Sequence, residues 1–120
     1  MKTHKDLFVW QESVDFVTDI YRETSTFPKR EMYGIIQQLR KAAVSIRSNI
    51  SEGAGRNGVK QFRHFLFIAL GSNSEIEVQL IVAKNLGFLS QSVFEELSET
   101  NSRIGKMLTT LIKSLNSSNL

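Results

Sequence analysis

The chain of 120 residues contains no cysteine. Disulfides, zinc–thiolate sites, iron–sulfur clusters and cysteine nucleophiles are therefore excluded, and the absence fits a reducing compartment. Proline occurs once, at Pro28, and glycine seven times. Clusters of Gly, Pro and β-branched residues do not recur at strand-like spacing, so the composition favours helix. Only two histidines are present, His4 and His64. A di-iron site in a helical bundle needs Glu-x-x-His on two helices, but His64 follows Gln61 at that spacing. No metal and no cofactor are expected. Long apolar runs are missing too. The longest, Phe65 to Leu70, is far short of a bilayer span, and "MKTHKDLFVWQ" lacks the apolar core of a signal peptide. A cytoplasmic protein without a membrane partner is expected. Hydrophobic residues make up 41% and charged residues 22%, enough for one core in one domain spanning residues 1–120.

What is present is a helical period, four times over. Leu7, Trp10, Val14, Val17 and Tyr21 share one face of a first helix. Ile36, Leu39, Ala43, Ile46 and Ile50 do so in a second. Phe62, Leu66, Ala69, Ile76, Leu80 and Ala83 follow in a third, and Leu97, Ile104, Leu108, Leu111 and Leu115 in a fourth. Pro28 separates the first two, since proline is excluded from a helix interior but suits a first turn. Gly87 suits a left-handed helix end, and Ser90 a cap for the next helix. The short connections predict an all-α, up-down-up-down antiparallel four-helix bundle. The helices are expected near 6–25, 29–53, 58–86 and 90–116, with a frayed tail at 117–120.

One stretch, "GAGRNG" from Gly53 to Gly58, spells G-x-G-x-x-G. A dinucleotide loop needs a strand before its glycines. The preceding residues here have a helical period, so the glycines read as a helix–helix turn. Gly53 or Gly55 would end the second helix with positive φ, and Asn57 or Gly58 would start the third. The free N–H groups at that start, beside Arg56 and Lys60, suit a phosphate oxygen.

Charge is segregated. Lys and Arg outnumber Asp and Glu by 15 to 12, but between positions 36 and 74 six cations face the single acid Glu52. Arg40, Lys41, Arg47, Arg56, Lys60 and Arg63 are thus candidate contacts to the phosphate backbone of RNA or DNA. Two helices carry more apolar surface than one stripe requires: Val9, Phe16 and Ile20 on the first, and Phe67, Leu70, Val78 and Ile81 on the third. These surplus residues predict an oligomer interface. Gln38, Ser45, Asn49 and Glu52 form a polar stripe on the second helix, with Glu75 and Gln79 of the third able to face it. A structural hydrogen-bond network is expected there. No nucleophile–base pair accompanies it, and no catalytic residue is assigned.

The pattern Leu7-x-x-Trp10, Phe27-Pro28-x-x-Glu31-x-Tyr33-Gly34, Ser45-Ile46-x-x-Asn49-Ile50-x-Glu52-Gly53, Phe62-x-x-Phe65-Leu66-x-x-Ala69-x-Gly71-Ser72-x-x-Glu75 and Leu86-Gly87 resembles the bacterial proteins encoded in intervening sequences of 23S rRNA genes. More distantly, it resembles the accessory variability determinant of diversity-generating retroelements. Gly58 stands where that family usually has a capping serine. The resemblance implies a four-helix bundle assembled as a ring-shaped homopentamer, without enzymatic activity, that binds nucleic acid. The alternative is a protein-interaction scaffold, in which the apolar stripe of the third helix or the acidic first helix engages a protein encoded at the same locus.

Overall fold

A computed structural model describes the backbone of residues 4–118 and the side chains of residues 6–116. Four α-helices account for most of it: α1 (His4–Thr24), α2 (Gln37–Ala54), α3 (Val59–Asn85) and α4 (Gln91–Ser118). No strand occurs among the described residues. Each helix touches two others, in the cyclic order α1, α2, α3, α4. Partners run in opposite directions. Gln38 meets Gln79 while Ser45 meets Ser72 across α2 and α3, and Asn73 meets Asn101 while Lys84 meets Phe94 across α3 and α4. The result is an elongated bundle of 48 × 24 × 19 Å.

The core repeats the expected pattern on three helices. Every residue of the second and third periodic sets is buried, as are Leu97, Ile104, Leu108 and Leu111 of the fourth. On α1 the assignment holds only in part: Trp10 and Val17 of the expected face pack half-buried against the core, but the fully buried apolar positions are others. Val9, Phe16 and Ile20 are each 1% exposed and form part of the single-chain core, so they are not interface residues. Leu7 and Tyr21, expected inside, lie on the surface. The buried face of α1 runs Asp6, Val9, Ser13, Phe16, Ile20, Thr24, with polar residues in three of its six places. Two of these satisfy themselves locally. Ser13 Oγ donates to Trp10 O at 2.6 Å, and Thr24 Oγ1 to Ile20 O at 2.6 Å. Such back-bonding lets a hydroxyl sit in a core at little cost.

The second helix begins later than expected. Residues after Pro28 form a 3-10 turn (Lys29–Glu31) and one wide turn (Met32–Ile36), because Gly34 adopts φ −110°, ψ −118° and breaks the α ladder. Neither Gly53 nor Gly55 takes positive φ. Gly53 is instead a contact residue. A Cβ there would lie 2.8 Å from Phe65 Cβ and 3.2 Å from Phe62 O. Gly58, at φ 104°, makes the turn into α3, and Gly87, at φ 80°, makes the one after it. Ser90 Oγ accepts the Val93 N–H at 3.1 Å, as its capping role requires. The tail expected to fray is helical to Ser118, and Asn119 and Leu120 lie outside the described residues. By length and composition α3 is apolar enough to cross a membrane. Only one of its faces meets the core, and Glu75 and Glu77 are exposed on it.

Candidate nucleic-acid interface and assembly faces

The six candidate cations divide into two groups. Arg40, Lys41 and Arg47 stand on the first three turns of α2, and Arg56, Lys60 and Arg63 surround the α2–α3 turn. At 1.5 Å per helical residue, Arg47 stands about 10 Å and Lys41 about 20 Å from the end of α2 at Ala54, where the second group begins. The candidate cations do not form one compact patch. Arg40 leans on α1: its Nε donates to Thr24 Oγ1 at 2.9 Å, and Nη2 to Tyr21 O at 3.4 Å. Arg47 Nη2 donates to Ser48 Oγ at 3.3 Å. Arg56 is ion-paired with Glu52 one turn earlier, its Nε 3.0 Å from Oε1. Lys41 and Lys60 are exposed and Arg63 is half-buried, and none of the three has a side-chain partner among the described residues.

The expected polar network exists in part. Ser72 Oγ donates to Ser45 Oγ at 2.9 Å, Asn49 Nδ2 donates to Ser45 O and Oγ, and Gln79 Nε2 donates to Gln38 Oε1 at 2.7 Å. The Ser72–Ser45 and Gln79–Gln38 bonds join α2 to α3, while the Asn49–Ser45 bonds lie within α2. Glu52 and Glu75 are not members. Glu52 turns out to Arg56, and Glu75 is exposed on the outer side of α3. A more deeply buried network joins α3 to α4 and carried no sequence signal beyond two lone asparagines. Asn73 Nδ2 donates to Asn101 O and Oδ1 at 2.7 and 2.8 Å, and Asn101 Nδ2 donates to Asn73 O at 3.0 Å.

Two apolar surfaces remain uncovered. On α3, Phe67 and Val78 are 54% and 59% exposed, with Ile81 and Val82 beside them, while Leu70 packs half-buried against the core. Phe67, Gly71, Ser74, Val78 and Ile81 are spaced four, three, four and three, the heptad seam that a second helix would fill. The other surface is a groove of about 870 Å³ between α1 and α4. Leu7, Phe8, Met107 and Leu111 line it, with Arg103 and Lys106 at its rim. Phe8 is 60% exposed, and Arg103 donates from Nε to Glu12 Oε1 at 2.8 Å. In the cyclic order of helices this groove lies opposite the α2–α3 side. Phe8 was absent from the sequence-based interface because it belongs to neither stripe of α1.

Among the described residues no three His, Asp or Glu side chains stand close enough to hold a metal ion. Neither described cleft is lined by Asn49, Glu52 or Glu75.

Comparison with known proteins agrees with this architecture. The family model described as 23S rRNA-intervening sequence protein matches residues 5–110. A crystal structure of a protein of unknown function from the S23 ribosomal protein family of Bacteroides thetaiotaomicron superposes with a TM-score of 0.84. It is 24% identical, and the match covers 91% of this chain and 98% of that one. No curated protein matches.

Proposed function

The chain belongs to the 23S rRNA-intervening sequence protein family, and from its geometry we propose that it is a non-enzymatic, self-associating bundle that holds nucleic acid by the phosphate backbone. The observation that carries this reading is the outer face of α3. One continuous helix joins the cations of its first turns, Lys60 and Arg63, to the uncovered seam from Phe67 to Ile81. That seam and the α1–α4 groove are different surfaces. Charge favours joining them, because Glu75 and Glu77 flank Val78 while Lys106 stands in the groove lining beside Arg103, itself paired with Glu12. Contact between unlike patches is head-to-tail, which gives a ring when the rotation per contact closes and a filament when it does not; the five-membered ring that the family resemblance implies is the closed case. A cyclic assembly repeats every basic α2–α3 turn around one rim, so weak phosphate contacts add in avidity. A cytoplasmic location suits this activity.

The test is light scattering to obtain the mass, followed by anisotropy titrations of a structured RNA and a duplex DNA at low and physiological salt. A mass of several chains and an affinity that falls steeply with salt support the reading. Lys60→Glu with Arg63→Glu should weaken both nucleic acids alike, because phosphate contacts carry no sequence information. An oligomer that binds neither nucleic acid at low salt would sink the nucleic-acid half. It would favour the second reading, a protein-interaction scaffold whose α1–α4 groove receives a helix from a protein encoded at the same locus.

A further inference from the structure

A second cleft, of about 460 Å³, opens where the irregular segment before α2 passes α1. Its walls are aromatic. Tyr21 comes from α1, and Tyr33 comes from the wide turn that Gly34 breaks. Tyr33 is 89% exposed. Ile36 and Val44 supply an apolar floor. Every charged group in the lining is a cation, Arg40 or Lys41, and Gln37 adds an amide. The one carboxylate of the irregular segment, Glu31, is not part of the lining, and its Oε2 lies 3.9 Å from Arg30 Nε.

The cation beside the aromatic is already in place. Arg40 lies over the Tyr21 ring, 4.6 Å from its centre, and two hydrogen bonds to α1 fix it there. A guanidinium has five N–H groups, so further donors remain for an anion, and Arg40 itself needs no further ordering to receive it. Lys41 and Gln37 have no side-chain partner among the described residues. An aromatic face, an apolar floor, an amide and two cations together match one ligand chemistry, a planar heterocycle carrying a phosphate. A duplex cannot present it, because its base faces are covered by their neighbours. Unpaired bases stack on aromatic side chains while the backbone follows a positive surface.

We infer that this cleft is a nucleotide site, in which an unpaired base stacks on Tyr33 and its phosphate is held by Arg40 and Lys41. The occupant is a nucleotide within a single strand, or a free nucleotide of the same chemistry. The single-strand source rests on the nucleic-acid reading above; the site itself does not.

The experiment compares a fluorescein-labelled 12-nucleotide RNA with an abasic strand of the same length and charge, on the wild type, Tyr33→Leu and Tyr33→Phe. Calorimetric titration with adenosine 5′-monophosphate runs alongside. Tyr33 is so exposed that neither variant should disturb the fold, which circular dichroism checks. The wild type and Tyr33→Phe should prefer the base-bearing strand by about 5- to 100-fold. Tyr33→Leu should lose that preference and keep its affinity for the abasic strand. Adenosine monophosphate binding that Tyr33→Leu abolishes, without strand preference, places a free nucleotide in the site. Equal affinity for the two strands with no mononucleotide binding overturns the site and leaves the phosphate-backbone reading standing. Binding of neither strand and no mononucleotide overturns both.

Discussion

Gly105 sits on α4 against the amide of Asn73, and changing it to alanine should destabilise the bundle although helix propensity says the reverse. In an unobstructed helix Gly→Ala gains about 1 kcal/mol. Here the added Cβ would stand 2.5 Å from Asn73 Oδ1 and 3.3 Å from its Cγ, against an ordinary contact of about 3.5–4.0 Å. The amide must retreat by about 1 Å. It is buried and tied to Asn101 by bonds of 2.7 and 2.8 Å from Nδ2, so retreat stretches both. Weakening two buried bonds and leaving a donor poorly paired costs about 2–5 kcal/mol. The net expectation is a loss of about 1–4 kcal/mol. Asn73→Ala removes the obstruction. It costs about 1–3 kcal/mol by itself, because Asn101 Oδ1 loses its donor. In that background Gly105→Ala should stabilise by about 1 kcal/mol, so the same substitution changes sign. Urea denaturation followed by far-UV circular dichroism measures all four proteins, at one protein concentration because self-association contributes to stability. A rise in midpoint for Gly105→Ala alone would refute the reasoning. So would equal effects in the two backgrounds to within about 0.5 kcal/mol.

Gly53→Ala should also destabilise, by about 1–3 kcal/mol. The obstructing atoms are Phe65 Cβ, the buried Phe62 ring at Cδ1 and the Phe62 carbonyl, all on α3, so no second substitution elsewhere in α2 should rescue it; the same denaturation series measures this. Ser90→Ala should lower stability by about 1 kcal/mol through loss of the bond from Val93 N, while Ser90→Asp restores it. Val78→Glu places a charge in the centre of the exposed α3 seam without touching the core. Light scattering should then report a smaller assembly, with an unchanged helical spectrum. An assembly of wild-type mass would remove α3 from the interface.

The sequence made three of the four helices legible because their buried faces are almost wholly apolar, so hydrophobicity and burial share one period. On α1 they part company. Ser13 and Thr24 occupy core-facing places because each hydroxyl finds a carbonyl three or four residues back, while Leu7 and Tyr21 face outwards. Counting apolar residues therefore placed the face off-centre, with Trp10 and Val17 at the edge of the core and Val9, Phe16 and Ile20 at its middle. The start of α2 was misplaced for a related reason. Pro28 and Glu31 look like a first helical turn, but the conformation of Gly34, which a sequence does not display, postpones the α ladder to Gln37. The glycines of "GAGRNG" were read for freedom of φ when Gly53 serves for closeness, and closeness depends on Phe62 and Phe65 of the next helix.

The candidate sites were harder to read because each is made from residues of two elements. The basic residues were visible as a composition, yet their division into two groups depends on the rotation of α2 and on which cations find partners. Arg40 has two of its N–H groups committed to Thr24 and Tyr21 and keeps the others for an anion, whereas Arg56 is paired with Glu52, so the cations fully open to a phosphate are fewer than the six counted. The aromatic cleft escaped notice because Tyr21 had been assigned to the core and Tyr33 to a helix. The α1–α4 groove was missed because Phe8 meets Met107 only after the chain has folded back on itself. Only the outer stripe of α3 was plain in sequence, since its heptad lies on a single helix. That difference ranks the proposals by what they need. Assembly through α3 requires only that the helix form, and the groove that would receive it requires α1 and α4 correctly paired. A variant that loosens the Asn73–Asn101 link shifts α4 against α3, leaves the seam intact and spoils the groove. Head-to-tail assembly should therefore weaken in Asn101→Ala more than the global loss of stability accounts for, whereas a contact between two α3 seams would be indifferent to it. Sedimentation velocity across a protein concentration series separates the two.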